Sequence, residues 1–296
     1  GGGGGAGFGG AIYAENGSTV SFHNVSGSSL SPNRAVGGIG GQAGRPDSVG
    51  QNGLGMGDLI FLEGDAQLTY TVDANTTQSI SEGIGSDAAQ GGNGNSEIKK
   101  EGEGSLLLST DVTASRIEVN AGKLLAEAQL TSQVVVNPGG VLAGSGTIEG
   151  DVDFNDGGAT FLEPGSSPGV LTINGALFLD AATEITFELG AIGSSDAIMV
   201  RDALTLDGVA KLSLLTGFEV GTYTLMTYEG SSGNFTDNTL ELSTLPFGVE
   251  ASLLVNSGDS DVVQLVVTAV PEPSSVSLLL VTAAGLWFWR RRRKAR

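Results

Sequence analysis

A single histidine, His23, bounds the catalytic chemistry open to this chain. A metal site on paired histidines, a two-histidine facial triad and an H-E-x-x-H zincin all need more than one. A Ser-His-Asp triad would have to use His23, which sits between Phe22 and Asn24 on an expected strand; no G-x-S-x-G elbow accompanies it. A solvent-facing side chain is the plainer expectation. There is no cysteine, which excludes disulfides, Cys zinc sites and Cys nucleophiles. Carboxylates remain. Asp151 and Asp153 stand two apart and would share one strand face, with Asp156 in the turn beyond. Glycoside hydrolysis needs two carboxyl groups about 5–10 Å apart, one with a raised pKa. The spacing meets that distance, but the surrounding sequence supplies no apolar pocket. A lyase needs a basic residue to take a proton, and only Arg201 and Lys211 are basic between 128 and 269. The stretch GGNGNSE at 91–97 approaches a calcium-binding G-G-x-G-x-D repeat, but Asn95 replaces Asp and one copy occurs. The expectation is a solvated acidic surface with no cofactor, no metal and no enzymatic activity.

Charge points the same way. The formal net charge is −19, and the last 27 residues hold six of the 14 basic residues and one of the 33 acids. The body before them therefore carries eight basic against 32 acidic residues, a formal charge of −24. A nucleic-acid partner needs a basic footprint and is excluded. Gly makes up 48 of 296 residues without a three-residue period, so collagen is excluded as well. Residue 1 is Gly, and the chain reads as processed or truncated.

The segment VPEPSSVSLLLVTAAGLWFWRRRRKAR at 270–296 is different in kind. Pro271, Glu272 and Pro273 can continue neither a helix nor a sheet ladder. Ser274 to Trp289 carries no charge; Arg290, Arg291, Arg292 and Arg293 follow. An apolar run closed by basic residues is a membrane insertion signal with its basic end on the cytoplasmic side, and Trp287 and Trp289 fall where rings prefer the headgroup level. Sixteen residues at about 1.5 Å each give roughly 24 Å, short of the roughly 30 Å hydrocarbon core. Such a helix inserts but is a marginal permanent anchor.

That order, Pro271-Glu272-Pro273, then a short apolar run, then Arg290 to Arg293, resembles the PEP-CTERM sorting signal of Gram-negative bacteria. The resemblance implies recognition by an exosortase-type membrane protease and removal of the tail at the cell envelope. An ordinary tail anchor is the alternative for the same residues.

The middle of the chain has an internal period. Asn120-Ala121-Gly122, Asn137-Pro138-Gly139-Gly140, Asn155-Asp156-Gly157-Gly158 and Asn174-Gly175 are turn signals, with their Asn residues 17, 18 and 19 apart. Alternating apolar pairs precede them: Ile117 and Val119, Val134 and Val136, Val152 and Phe154, Leu171 and Ile173. Strand, Asn-Gly turn, strand at a period near 18 predicts a solenoid over 98–190, whose coils bury their apolar faces only by stacking. The alternative is an antiparallel sandwich with hairpins at the Asn-Gly sites.

IKKEGEGSLLLS at 98–109 and RIEVNAGKLLAE at 116–127 resemble the autotransporter-associated β-strand repeat, through Lys99, Lys100, Gly102, Gly104, Leu106, Leu108, Val119, Gly122 and Leu124. Residues 139–190 are similar to C-terminal coils of autotransporter passengers, through Gly144 to Thr147 and Pro164 to Gly169. AIYAENGSTVSFHNVS more loosely resembles the opening of Gly-rich β-helix proteins.

The expected fold class is all-β: a right-handed parallel β-helix (β-solenoid) followed by a single C-terminal transmembrane helix. Its divisions are a Gly-rich β-helix-like region at 1–97, a repeat solenoid at 98–190, β-coils and a cap at 191–269, and the sorting tail at 270–296. The resemblances imply an exported cell-surface or extracellular-matrix protein of structural or adhesive role. It would pass through a single-pass membrane stage at the envelope and then reside at the surface or outside. Its partners would be the exosortase-type protease, the membrane and, weakly at many sites, extracellular polysaccharide, with no nucleic acid. A polysaccharide-acting β-helix enzyme is the alternative.

Overall fold

The computed structural model describes residues 5–24, 33–39, 51–90, 92, 94–166, 168–230, 240–243, 249–256 and 261–269. Within them the fold is all-β with parallel sheets, consistent with a β-solenoid. Strands alternate between core and surface, as in Gln67–Thr71, Glu97–Glu101 and Thr183–Leu189, because successive side chains point to opposite faces. The inward set is aliphatic, and each member pairs with another one coil away. One column runs Ile98, Ile117, Val134, Val152, Leu177, Leu204. A second runs Leu106, Leu124, Leu142, Leu162, Ile185, Ala210. A third runs Ile60, Ile84, Val112, Leu130, Ile148, Ile173, Val200. All are buried, and together they form one continuous core. No coil covers its own apolar side; its neighbours do.

The sandwich alternative fails at its own test. Gln129–Val136 and Gly140–Gly144 flank the Asn137 turn but do not pair with each other; each pairs in parallel with the coils before and after it. Val134, Val136, Val152, Phe154, Leu171 and Ile173 all point inward, at 0–2% exposure.

The turns keep their period for a physical reason. Asn137 Nδ2 donates to Asn120 Oδ1 at 2.5 Å, and Asn155 Nδ2 donates to Asn137 Oδ1 at 2.6 Å. Asn120 Nδ2 extends this ladder to Glu101 Oε1 at 2.7 Å. Asn120 and Asn137 each serve as donor to one coil and acceptor to the next. Asn137→Ala is expected to lower stability by about 1–2 kcal/mol, since it removes two half-buried hydrogen bonds. Urea unfolding checks this: the midpoint should fall with an unchanged slope.

The period does not persist to residue 190. From Ile98 to Ile117, Val134 and Val152 the spacing is 19, 17 and 18, but Val152 pairs with Leu177, 25 residues on. The stretch Pro164–Gly169 is inserted between two faces and lengthens the coil. Leu171 and Ile173 therefore do not continue the Val152 and Phe154 column: Ile173 stacks on Ile148. Asn174 turns at another corner, with its N–H on Ile148 O at 2.7 Å and its Nδ2 on Glu149 at 2.8 Å.

Among the described residues of the Gly-rich start, backbone segments pack closely. An added Cβ on Gly37 would sit 2.0 Å from Gly53 O, and one on Gly55 would sit 2.0 Å from Ala35 O. Three backbone segments lie closer here than any side chain allows. A short strand, Ile84–Ser86, continues the third column. At the far end the pairing changes sense. Val262–Ala269 lies antiparallel between Gly221–Gly230 and Val249–Asn256, which covers the last parallel strand. Among the described residues no helix is long and apolar enough to cross a membrane. The apolar run at 274–289 lies outside them.

Candidate functional site

His23 ends the strand Thr19–His23, with its side chain 65% exposed and Nε2 2.9 Å from Asp73 Oδ1. Asn24 Nδ2 donates to the other oxygen of the same carboxylate at 2.5 Å. The bonds from His23 and then Asn24 lower the Asp73 pKa. This is a surface contact between coils.

The structure separates Asp151 from Asp153 and Asp156. The strand is Val152–Phe154, so Asp151 falls just before it, where its Oδ1 accepts the Ala176 N–H at 2.8 Å. Asp153 stands on the outer face between Val135 and Phe178. Asp153, Asp156 and Asp180 line a cleft of about 300 Å³. Asp180 is held there by its own turn, accepting Thr183 Oγ1 at 2.6 Å and Ala182 N at 3.2 Å. Asn95 of the 91–97 stretch binds the Asp65 carboxylate through its N–H at 2.9 Å. Among the described residues no group of three His, Asp or Glu is arranged to hold a metal.

Several of the described basic residues pair with acids of neighbouring coils. Arg201 pairs with Glu229 at 2.5 Å, Lys211 with Glu184, and Lys123 with Glu163 at 2.5 Å. Lys99 bridges Glu97 at 3.0 Å and Glu118 at 3.8 Å. In a strongly acidic chain these pairs relieve repulsion between stacked carboxylates.

Two buried charged groups escaped sequence reasoning. Lys100 is 0% exposed. Its Nζ donates to the carbonyls of Glu101 at 2.9 Å, Gly102 at 2.7 Å and Ala121 at 3.0 Å, which uses all three N–H bonds. Burial lowers its pKa to about 8. A signal was present: Lys100 shares parity with Ile98, so it falls on the core side. Asp196, 2% exposed, accepts Glu188 N at 2.7 Å and Gly169 N at 3.0 Å, and so ties the Pro164–Gly169 insertion to the neighbouring strand. Burial raises its pKa. Both groups brace the coil stack, and Asp196 also lines a cleft of about 270 Å³ with Glu163 and Glu188.

What remains is the terminal segment. Residues 269–293 match the PEP-CTERM protein-sorting motif. The match takes in Pro271, Glu272, Pro273, Trp287, Trp289 and Arg290 to Arg293, all of which lie outside the described residues. It implies recognition by an exosortase, a membrane protease, during sorting, and it marks an exported protein. It begins at the last residue of Val262–Ala269, where the described fold ends. The chain is also similar to a protein of Brucella suis biovar 1 (strain 1330), the "Adhesin BmaC autotransporter", at 40% identity over 98 residues. That alignment covers 30% of this chain and 3% of the adhesin's length.

Proposed function

We propose that the chain is a non-enzymatic structural or adhesive component of the cell surface or extracellular matrix, delivered by its tail. The match of residues 269–293 to the sorting motif carries this reading. In it, Ser274 to Trp289 forms one short transmembrane helix, Arg290 to Arg293 stay on the cytoplasmic side, and an exosortase-type protease acts at or near Pro271-Glu272-Pro273. The solenoid before the tail is right-handed, the sense that parallel crossover connections take in about 98% of cases. Likeness to an adhesin supports the adhesive role.

Surface labelling tests this reading. Intact cells of the native host, treated with a membrane-impermeant amine reagent, are expected to yield labelled Lys99 and Lys123, whose side chains are 29% and 32% exposed. Labelling only after lysis would overturn the reading.

A further inference from the structure

The cap that closes the solenoid ends on a strand with an open edge. Val249–Asn256 pairs on one side with Val262–Ala269, over eight positions without a register shift. On its other side it pairs with no described strand, and it is the last strand of its sheet. A row of backbone N–H and C=O groups there is open to a further strand. Folded proteins blunt such edges with Lys, Pro, a bulge or a short strand. Val249–Asn256 has none of these. The other large sheet, by contrast, ends on Glu241–Leu242, a strand of two residues.

The inner row of this strand is half-covered core. Ala251, Leu253 and Val255 stand opposite Val267, Leu265 and Val263. The latter three are buried, at 0–3% exposure. Ala251 and Leu253 pack against the core but are only half-buried, and Val255 is 36% exposed, since no described strand lies on their far side. Leu254, on the outer face, is 45% exposed. Charge is nearly absent here. Glu250 is the one ionisable side chain of Val249–Asn256 and Val262–Ala269 together, in a chain whose body is strongly acidic.

We propose that Val249–Asn256 pairs antiparallel with the same strand of a second copy of this chain, about a twofold axis at Leu253. Directly opposite residues share a face of a sheet, so this axis sets Leu253 against its own copy, Ala251 against Val255 and Ser252 against Leu254. The half-covered inner row of each copy is then closed by that of the other, and roughly six to eight backbone hydrogen bonds form between them. The two Glu250 carboxylates fall six positions apart along the pair, roughly 20 Å, so no like charges meet. A twofold contact brings one patch to both sides, and this strand complements itself in shape and charge. Acidic surfaces elsewhere on the two copies repel, which leaves this edge as the place of contact. The pairing does not depend on the sorting reading, because Leu253 and its neighbours lie outside the match at 269–293.

The chain contains no cysteine, so single substitutions report the pairing through disulfide formation. In the purified full-length chain in detergent, Leu253→Cys is expected to give a disulfide-linked dimer on mild oxidation, and Glu250→Cys is expected not to. Leu254→Lys adds a charge at an exposed position of the edge. It should raise the dimer dissociation constant by about tenfold or more, read by sedimentation equilibrium in density-matched detergent. A dimer that survives Leu254→Lys unchanged is held elsewhere, as by the tail, and overturns the proposal. A monomeric wild type, which would leave the edge to a foreign strand, and equal cross-linking of the two cysteine variants overturn it as well. If Leu254→Lys lowers the unfolding midpoint, Ser252→Lys carries the test, and an unchanged dissociation constant there overturns the proposal equally.

Discussion

Lys100→Met is expected to destabilise the fold by about 2–5 kcal/mol at pH 7 and to abolish a rise in stability that the wild type shows between about pH 7.5 and 9.5. The substitution removes three charge-assisted hydrogen bonds, each worth about 1.5–3 kcal/mol. It also relieves the cost of an ionised amine in the core, about 3 kcal/mol for a pKa held down to about 8. The bonds win, because Gly102 and Ala121 are left with carbonyls that face the removed amine. The pH dependence follows from linkage. Between about 8 and 10.5 the unfolded chain holds a proton that folded Lys100 has lost, so stability increases with pH in that window and is flat below it. The increase should reach about 1–2 kcal/mol by pH 9.5. Lys99, Tyr13, Tyr70 and Tyr228 have raised pKa values and oppose it only near pH 10 and above. Urea midpoints across this range check both parts. A variant with the wild-type slope would show that Lys100 is not the group responsible.

Replacing Pro271, Glu272 and Pro273 together with Ala is expected to leave the protein in the membrane at full length. The apolar run and Arg290 to Arg293 are untouched by the change, so insertion should proceed as before. Recognition at the motif should fail, because alanines allow the apolar run to extend upstream as helix, whereas prolines hold the chain extended. The described fold ends at Ala269, so the change touches no residue of the cap. Alkaline carbonate extraction of the native host separates the outcomes. The variant should remain in the pellet while the wild type is recovered outside it. Equal release of both would mean that the triplet is not read.

The solenoid was legible because Asn120, Asn137 and Asn155 turn at one corner and hydrogen-bond to one another, which gives sequence period and coil period the same cause. Asn174 looked like the fourth member and was not. The same Asn-Gly pair serves another corner once Pro164–Gly169 lengthens the coil, and sequence spacing carries no record of which corner a turn occupies. The strand Ile84–Ser86 was missed because three residues in a Gly- and Ser-rich stretch show too little alternation to count. The close packing around Gly37 and Gly55 depends on backbone partners distant in sequence, and composition alone presents it as loop. Lys100 was assigned to a repeat pattern, although its parity with Ile98 placed it inside. The sorting motif was fully legible, since its three parts are contiguous and need no tertiary partner.

Peptide mass spectrometry of the mature protein from its native host tests the sorting reading most directly. The dominant species should end before the apolar run, near Pro271-Glu272-Pro273, with the Val262–Ala269 strand retained. Recovery of intact C-terminal peptides reaching Trp289 or beyond, as the dominant species, would contradict processing and leave a plain single-pass anchor.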